Sequence, residues 1–280
     1  MKNIGIVCCS NGQREEWRGQ NEALAAVLAE LNCRAVFSPC IYAVDGVAAG
    51  TARERAAALM RFYLDDGIDC ICDISGGDIA NEVLDFLDYD AIARHPKPLF
   101  GYSDLTTVLN AVYTKTGVPN VLYQIKNLVY SQKELQQRLF ADHLAGGNEL
   151  FSFPVEFLQG DRMEGTLVGG NVRCLLKLAG TPYFPDVRGK LLLLEALGGE
   201  REQLITYFAQ LRQMSVLEQA AGVLLGTFTK MEEKGLCPTA GELLLRYAPD
   251  TLPVAKTAFI GHGADSRAVV IGGHFRAAAP

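Results

Sequence analysis

A chain of 280 residues with 49% hydrophobic and 21% charged residues can bury the core of one large domain or two small ones. Its net charge of −6, with no dense block of Lys or Arg, argues against a nucleic-acid partner, and no apolar stretch approaches the length of a membrane span. The segment Met1-Lys2-Asn3-Ile4-Gly5-Ile6-Val7 runs straight into a strand pattern without the h-region of a signal peptide, which predicts a cytoplasmic address.

The first part of the chain alternates strand and helix. Residues 4–9 read as a strand, and 22–31 as a helix with Leu24, Val27, Leu28 and Leu31 on one face. A short strand follows at 35–37, then a helix that Thr51 can cap and that runs to about Leu64. The pattern continues with a strand at 68–74, a helix at 81–87, a strand at 99–102, a helix at 105–116 and a strand at 121–123. Strands separated by helices imply a mainly parallel, doubly wound α/β sheet, with ligands beyond the carboxyl ends of the strands. Residues 132–144 form an amphipathic helix, and the Pro154-containing stretch to 159 reads as an irregular linker. A helical stretch after Gly169-Gly170-Asn171, a strand at 190–195, a helix at 202–214 and a strand at 221–226 predict a second, smaller α/β domain. The expected division is 1–130 for the first domain, 131–160 for helix and linker, and 161–280 for the second domain.

The eight cysteines include no C-x-x-C pair, and the four histidines show no H-x-x-x-H or H-E-x-x-H spacing. Reduced, mostly buried thiols are therefore expected, and neither a metal nor another cofactor is.

Three places carry chemistry. Gly101-Tyr102-Ser103-Asp104 lies where an apolar run stops and the helical pattern Leu105, Val108, Leu109, Val112 begins. A serine on so tight a turn presents its hydroxyl beside the first free amides of the new helix. Leu105 stands where the usual G-x-S-x-G elbow has glycine, and taken alone the four residues favour a helix cap. Leu191-Leu192-Leu193-Leu194-Glu195 ends an apolar strand in a carboxylate, which reads equally well as a solvated acid. Gly261-His262-Gly263 places an imidazole between two glycines, where a lone histidine is more often a surface residue. Together Ser103, Glu195 and His262 supply a nucleophile, an orienting acid and a general base. Asp104, through its backbone amide, and Gly77 are the candidate oxyanion donors.

With these residues in view, the chain resembles the LD-carboxypeptidase family of serine peptidases, which includes the microcin C immunity proteins. The resemblance spans most of the sequence: Ala49-Gly50-Thr51 with Arg55, Ser75-Gly76-Gly77, Leu87-Asp88-Tyr89-Asp90, Pro96-Lys97-Pro98, Gly101-Tyr102-Ser103-Asp104, Gly169-Gly170-Asn171, Gly180-Thr181-Pro182, Glu195, Gly222-Val223-Leu224-Leu225-Gly226 with Phe228, and Gly261-His262. It implies a two-domain hydrolase whose first half resembles the class I glutamine amidotransferase sheet and supplies the serine. The second half would supply Glu195 and His262. Family members remove terminal D-alanine from peptidoglycan tetrapeptides, or cut an amide joining a peptidyl or aminoacyl group to a modified nucleotide, through an acyl-enzyme and without metal. The first activity is the main expectation, the second the alternative, and a binding-only sensor of wall fragments a third reading.

Ser75 stands where many carboxypeptidase members have arginine and Asp78 where they have tyrosine, which leans toward the immunity-like branch. The segment 121–127 lacks the Gly-Pro of many relatives, and the residues after His262 lack the common Pro-Gly ending. Gly76, Asn171 and Arg173 are candidate substrate contacts, and Arg173 or Lys126 could hold a terminal carboxylate, although each reads more readily as a surface charge. A homodimer is expected from the resemblance and from the general frequency of two-fold oligomers.

Overall fold

The computed structural model describes residues 1–279, which form two six-stranded sheets. In chain order the strands are β1 (Lys2–Val7), β2 (Cys33–Phe37), β3 (Cys70–Asp73), β4 (Leu99–Gly101), β5 (Asn120–Leu122), β6 (Glu156–Gln159), β7 (Arg162–Asn171), β8 (Leu191–Ala196), β9 (Gly222–Phe228), β10 (Val254–Lys256), β11 (Val269–Ile271) and β12 (His274–Ala278). The helices that matter below are α1 (Arg18–Glu30), α2 (Ala52–Leu64), α3 (Tyr89–Arg94), α4 (Thr106–Thr116), α5 (Lys133–Leu144), α6 (Val172–Leu176) and α7 (Arg201–Gln213). None of the helices among the described residues is long and apolar enough to cross a membrane.

The first sheet has the order β11-β5-β4-β3-β1-β2, with β1 to β5 parallel and β11 antiparallel at the edge. The second has the order β12-β7-β8-β9-β10-β6, parallel in its four central strands and antiparallel at both edges. Strand period decides where each face goes. In β1, Ile4 and Ile6 point into a core with Leu24 and Leu28 of α1, whereas Val7 joins Leu59 and Phe62 of α2 on the other side. In β8, Leu192 and Leu194 pack with Leu204 and Phe208 of α7, while Leu191 and Leu193 face the core that also holds Leu105, Val108 and Leu109. Burial of each such side chain contributes on the order of 1.5–3 kcal/mol. Glu195 is the next residue on the Leu191–Leu193 face, so alternation alone turns its carboxylate toward the first sheet.

Local capping follows the sequence at α2, where Thr51 and Glu54 form a reciprocal capping box. The expected helix at 81–87 is a run of 3-10 turns over Ala80–Phe86. Two segments depart from the expected partition. Residues 156–159 are not irregular linker but the edge strand β6, paired with β10. With only Phe157 and Leu158 apolar, β6 is too short for alternation to show. Residues 269–271 lie within the expected second domain, yet β11 pairs with β5 of the first sheet. The chain from β10 to β11 therefore bridges the two sheets, and His262 rides on that bridge.

Candidate active site

Three segments remote in sequence meet at the carboxyl ends of β4 and β8. Tyr102 is extended, and Ser103 turns to a left-handed φ of 53° before a single 3-10 turn leads into α4. A non-glycine residue held there costs on the order of 1–3 kcal/mol, and the turn brings the hydroxyl out toward the second sheet. Glu195 is buried at 1% exposure at the end of β8. His262 follows Gly261, whose φ of 145° and close approach to Thr227 (a Cβ would lie 2.0 Å from Thr227 Oγ1) exclude any side chain. The loop is pinned by Gln136, whose Nε2 donates to the carbonyls of Ala264 (2.8 Å) and Ser266 (3.0 Å).

The result is a continuous chain of contacts. His262 Nδ1 lies 2.7 Å from Glu195 Oε2, and His262 Nε2 lies 3.2 Å from Ser103 Oγ. With the Nδ1 proton donated to the carboxylate, Nε2 is the acceptor that can take a hydroxyl proton. The Tyr102 ring packs on the imidazole with centroids 4.4 Å apart, closing it from one side. Burial, followed by the Glu195 charge, pushes the Tyr102 phenol well above its ordinary range, so it stays neutral. Burial likewise pushes the thiols of Cys8, Cys9 and Cys72 up, and all eight cysteines are free. None of these three buried thiols offers a thiolate at neutral pH.

The Asp104 carboxylate is an anchor. It is fully buried and accepts from Ser10 Oγ (2.6 Å), the Ala80 amide (2.8 Å) and Lys177 Nζ (2.5 Å). Lys177 belongs to the second half of the chain, so this ion pair ties the serine turn to the other sheet. A second stitch lies beside it: Asn110 exchanges two hydrogen bonds with Gly169, and the Asn171 amide donates to Thr106 Oγ1.

The other predicted residues are placed as follows. Asn171 Oδ1 caps α6 by accepting from the Cys174 amide. Arg173 spends its guanidinium on the Asp78 carboxylate and on the Gly77 carbonyl, holding the 76–78 loop. Gly76 and Gly77 line a cavity of about 370 Å³ that also takes in Gln13, Trp17, Lys126 and Tyr130. Lys126 is not a surface charge: it is 2% exposed. Ser75 does not reach the cavity; its hydroxyl donates to Asp73 and accepts from the Ser10 amide. Asp73, fully buried, has its carboxyl pushed up to about 6 by desolvation. Neither the cavity beside Gly77 nor a larger one of about 840 Å³, between residues 154–158 and 225–259, is lined by Ser103, Glu195 or His262. Ser10, Asn110, Gln136 and Lys177 went unpredicted, because their partners come from tertiary contacts.

Residues 4–124 match the model of the LD-carboxypeptidase N-terminal domain and 164–276 that of the LD-carboxypeptidase C-terminal domain. A probable murein peptide carboxypeptidase of Bacillus subtilis (strain 168) is 31% identical over 257 residues, covering 88% of this chain and 80% of that protein. The chain belongs to the LD-carboxypeptidase family. Another relative, the murein tetrapeptide carboxypeptidase of Pseudomonas aeruginosa, is 29% identical over 235 residues, 79% of this chain and 76% of that protein. Among solved structures, microcin C7 self-immunity protein MccF in complex with aspartyl sulfamoyl adenosine superposes with a TM-score of 0.88 at 21% identity, over 98% of this chain and 92% of that one. At that identity the likeness shows the fold, which LD-carboxypeptidases and the immunity protein share.

Proposed function

We propose that this LD-carboxypeptidase family member is a serine-type enzyme that removes the terminal D-alanine from peptidoglycan tetrapeptides. The observation that carries the reading is the Ser103–His262–Glu195 chain, with its two contacts of 3.2 and 2.7 Å. Ser103 Oγ attacks the carbonyl carbon of the amide before D-alanine as His262 Nε2 takes its proton. The oxyanion forms against the backbone amides of Gly77 and Asp104. On collapse the C–N bond breaks, His262 returns the proton to the departing amine, and the tripeptide stays as an ester on Ser103. Water, deprotonated by His262, then hydrolyses the ester and restores the hydroxyl. Glu195 holds the imidazole tautomer and offsets the imidazolium charge in both halves. The names of the Bacillus and Pseudomonas relatives support the substrate. A cytoplasmic place in wall recycling and a homodimeric assembly belong to the same reading.

Incubation with a muropeptide tetrapeptide and, separately, with an aminoacyl sulfamoyl adenosine, each followed by mass spectrometry, tests the substrate. D-Alanine and tripeptide are expected from the first. Cleavage of the nucleotide alone would move the protein to the immunity-like activity, and no product from either would leave a binding protein.

Gly77 tests the oxyanion assignment. Its φ is 129°, and a Cβ there would lie 2.2 Å from the Asn11 side chain. Gly77→Ala must therefore shift the loop and its amide, and a loss on the order of 10²–10³ in kcat is expected. A change under threefold, measured on a variant that folds, would take Gly77 out of the hole.

A further inference from the structure

The proposed reaction requires the enzyme to tell a free terminal carboxylate from an internal peptide carbonyl. Nothing in the Ser103–His262–Glu195 chain does so. The cavity beside Gly77 contains a group that can.

Lys126 lies on a 3-10 turn, Ile125–Val129, that follows β5. Its ammonium is held from below by Gln13, whose Oε1 accepts at 2.7 Å while its own Nε2 is fixed on the Ile74 carbonyl at 2.9 Å. The rings of Trp17 and Tyr130 flank it at 5.3 and 5.8 Å from their centroids. Among the described residues no carboxylate lies within ion-pair distance of Lys126, whereas Arg14, the other cation on the cavity wall, is exposed and pairs with Glu16. An ammonium has three protons to give, and Gln13 takes one. A cation so buried without an anion carries a desolvation cost that an incoming carboxylate offsets. Desolvation also draws the Lys126 amine below its ordinary range, in accord with that cost.

We infer that Lys126 Nζ is the receptor for the terminal carboxylate of the departing D-amino acid, seated in the cavity between Gly76–Gly77 and the Trp17 and Tyr130 rings. The inference rests on the carboxypeptidase reading and sharpens it, because it makes a free C-terminus the recognised feature. Gly77 lines the same cavity. A substrate whose scissile carbonyl meets the Gly77 amide thus leads its terminal residue, one peptide unit on, into the space that Lys126 guards. Lys126 binds here and takes no part in proton transfer.

The test compares two ligands that differ at one group: a tetrapeptide ending in D-alanine and the same peptide ending in D-alaninamide. Binding is measured by calorimetry with Ser103→Ala, and with Ser103→Ala carrying Lys126→Met or Lys126→Arg. A charge-assisted pair predicts that the acid binds about 10–100-fold tighter than the amide. Lys126→Met should bring that ratio close to one through loss of acid binding alone, and Lys126→Arg should keep part of it. Equal binding of acid and amide by Ser103→Ala, which needs no change at Lys126, overturns the assignment. So does a ratio that survives in Lys126→Met, or failure of the Ser103→Ala protein to bind either peptide. D-Alanine release by the unmodified enzyme is followed in parallel. Release without acid selectivity removes the Lys126 receptor and keeps the carboxypeptidase. Acid-selective binding that Lys126→Met abolishes, without any release, does the reverse.

Discussion

Replacing Ser103 with alanine is expected to reduce kcat on the tetrapeptide by a factor on the order of 10⁶ while leaving the fold in place. The hydroxyl is the group placed to form the acyl bond, and its hydrogen-bond partner is His262 Nε2 at 3.2 Å. Removing one oxygen opens no core cavity, since Ser103 is partly exposed at the head of its turn. Alanine inherits the same φ of 53°, so the backbone strain is nearly unchanged. The thermal midpoint should therefore move little, and the loss should fall in kcat with KM near its original value. In serine hydrolases whose triad acts as a unit, losing the nucleophile costs about as much as losing all three members, which sets the size of the effect. A variant retaining more than about one per cent of activity, with contamination excluded by a separate preparation, would mean that another group attacks the substrate.

Glu195→Gln should lower kcat by on the order of 10³–10⁴. Glu195 Oε2 receives His262 Nδ1 at 2.7 Å, while Oε1 is buried with no hydrogen-bond partner in the protein. The carboxylate is therefore committed to the imidazole. A neutral amide of the same shape either presents its oxygen to Nδ1 and offers no charge to the imidazolium, or presents its NH₂ and reverses the tautomer, turning the Nε2 lone pair into a donor. The first orientation weakens the serine's base and the second removes it. Stability should change little, because glutamine keeps the shape of a side chain that is 1% exposed. Steady-state kinetics with a melting curve on the same sample separates the two effects. A loss below tenfold in a folded variant would show that Glu195 does not orient the base.

The first sheet was legible because α1, α2 and α4, at 13, 13 and 11 residues, are long enough for period and punctuation to mark off the short apolar strands between them. Thr51 caps its helix where the pattern says, and the apolar run into Ser103 ends in the expected turn. Glu195 was legible because four leucines before it define a buried strand, and alternation aims the fifth side chain. What escaped was set by contacts between distant segments. The Asp104 carboxylate is neutralised by Lys177 from 73 residues away, and Lys126 is folded under against Gln13 from 113 residues away. No local pattern distinguishes these lysines from surface ones. Arg173 reads from the sequence as a surface charge or a candidate substrate contact, yet Asp78 and the Gly77 carbonyl take its guanidinium. Edge strands β6 and β11, at four and three residues, leave too little periodicity to read. The return of β11 to the first sheet, which suspends His262 between Ser103 and Glu195, is a matter of topology that the motif Gly261-His262 does not encode.

The central claim is that the Ser103 hydroxyl becomes covalently acylated, and it can be put to a direct measurement. The enzyme is mixed with tetrapeptide, quenched in acid within milliseconds to seconds, digested and mapped by mass spectrometry. The account predicts a transient adduct with the mass of the tripeptide acyl group on the peptide containing Ser103, absent from Ser103→Ala and accumulating with the amount of enzyme. Release of D-alanine with no adduct at any quench time, or with the adduct on a different residue, would contradict it.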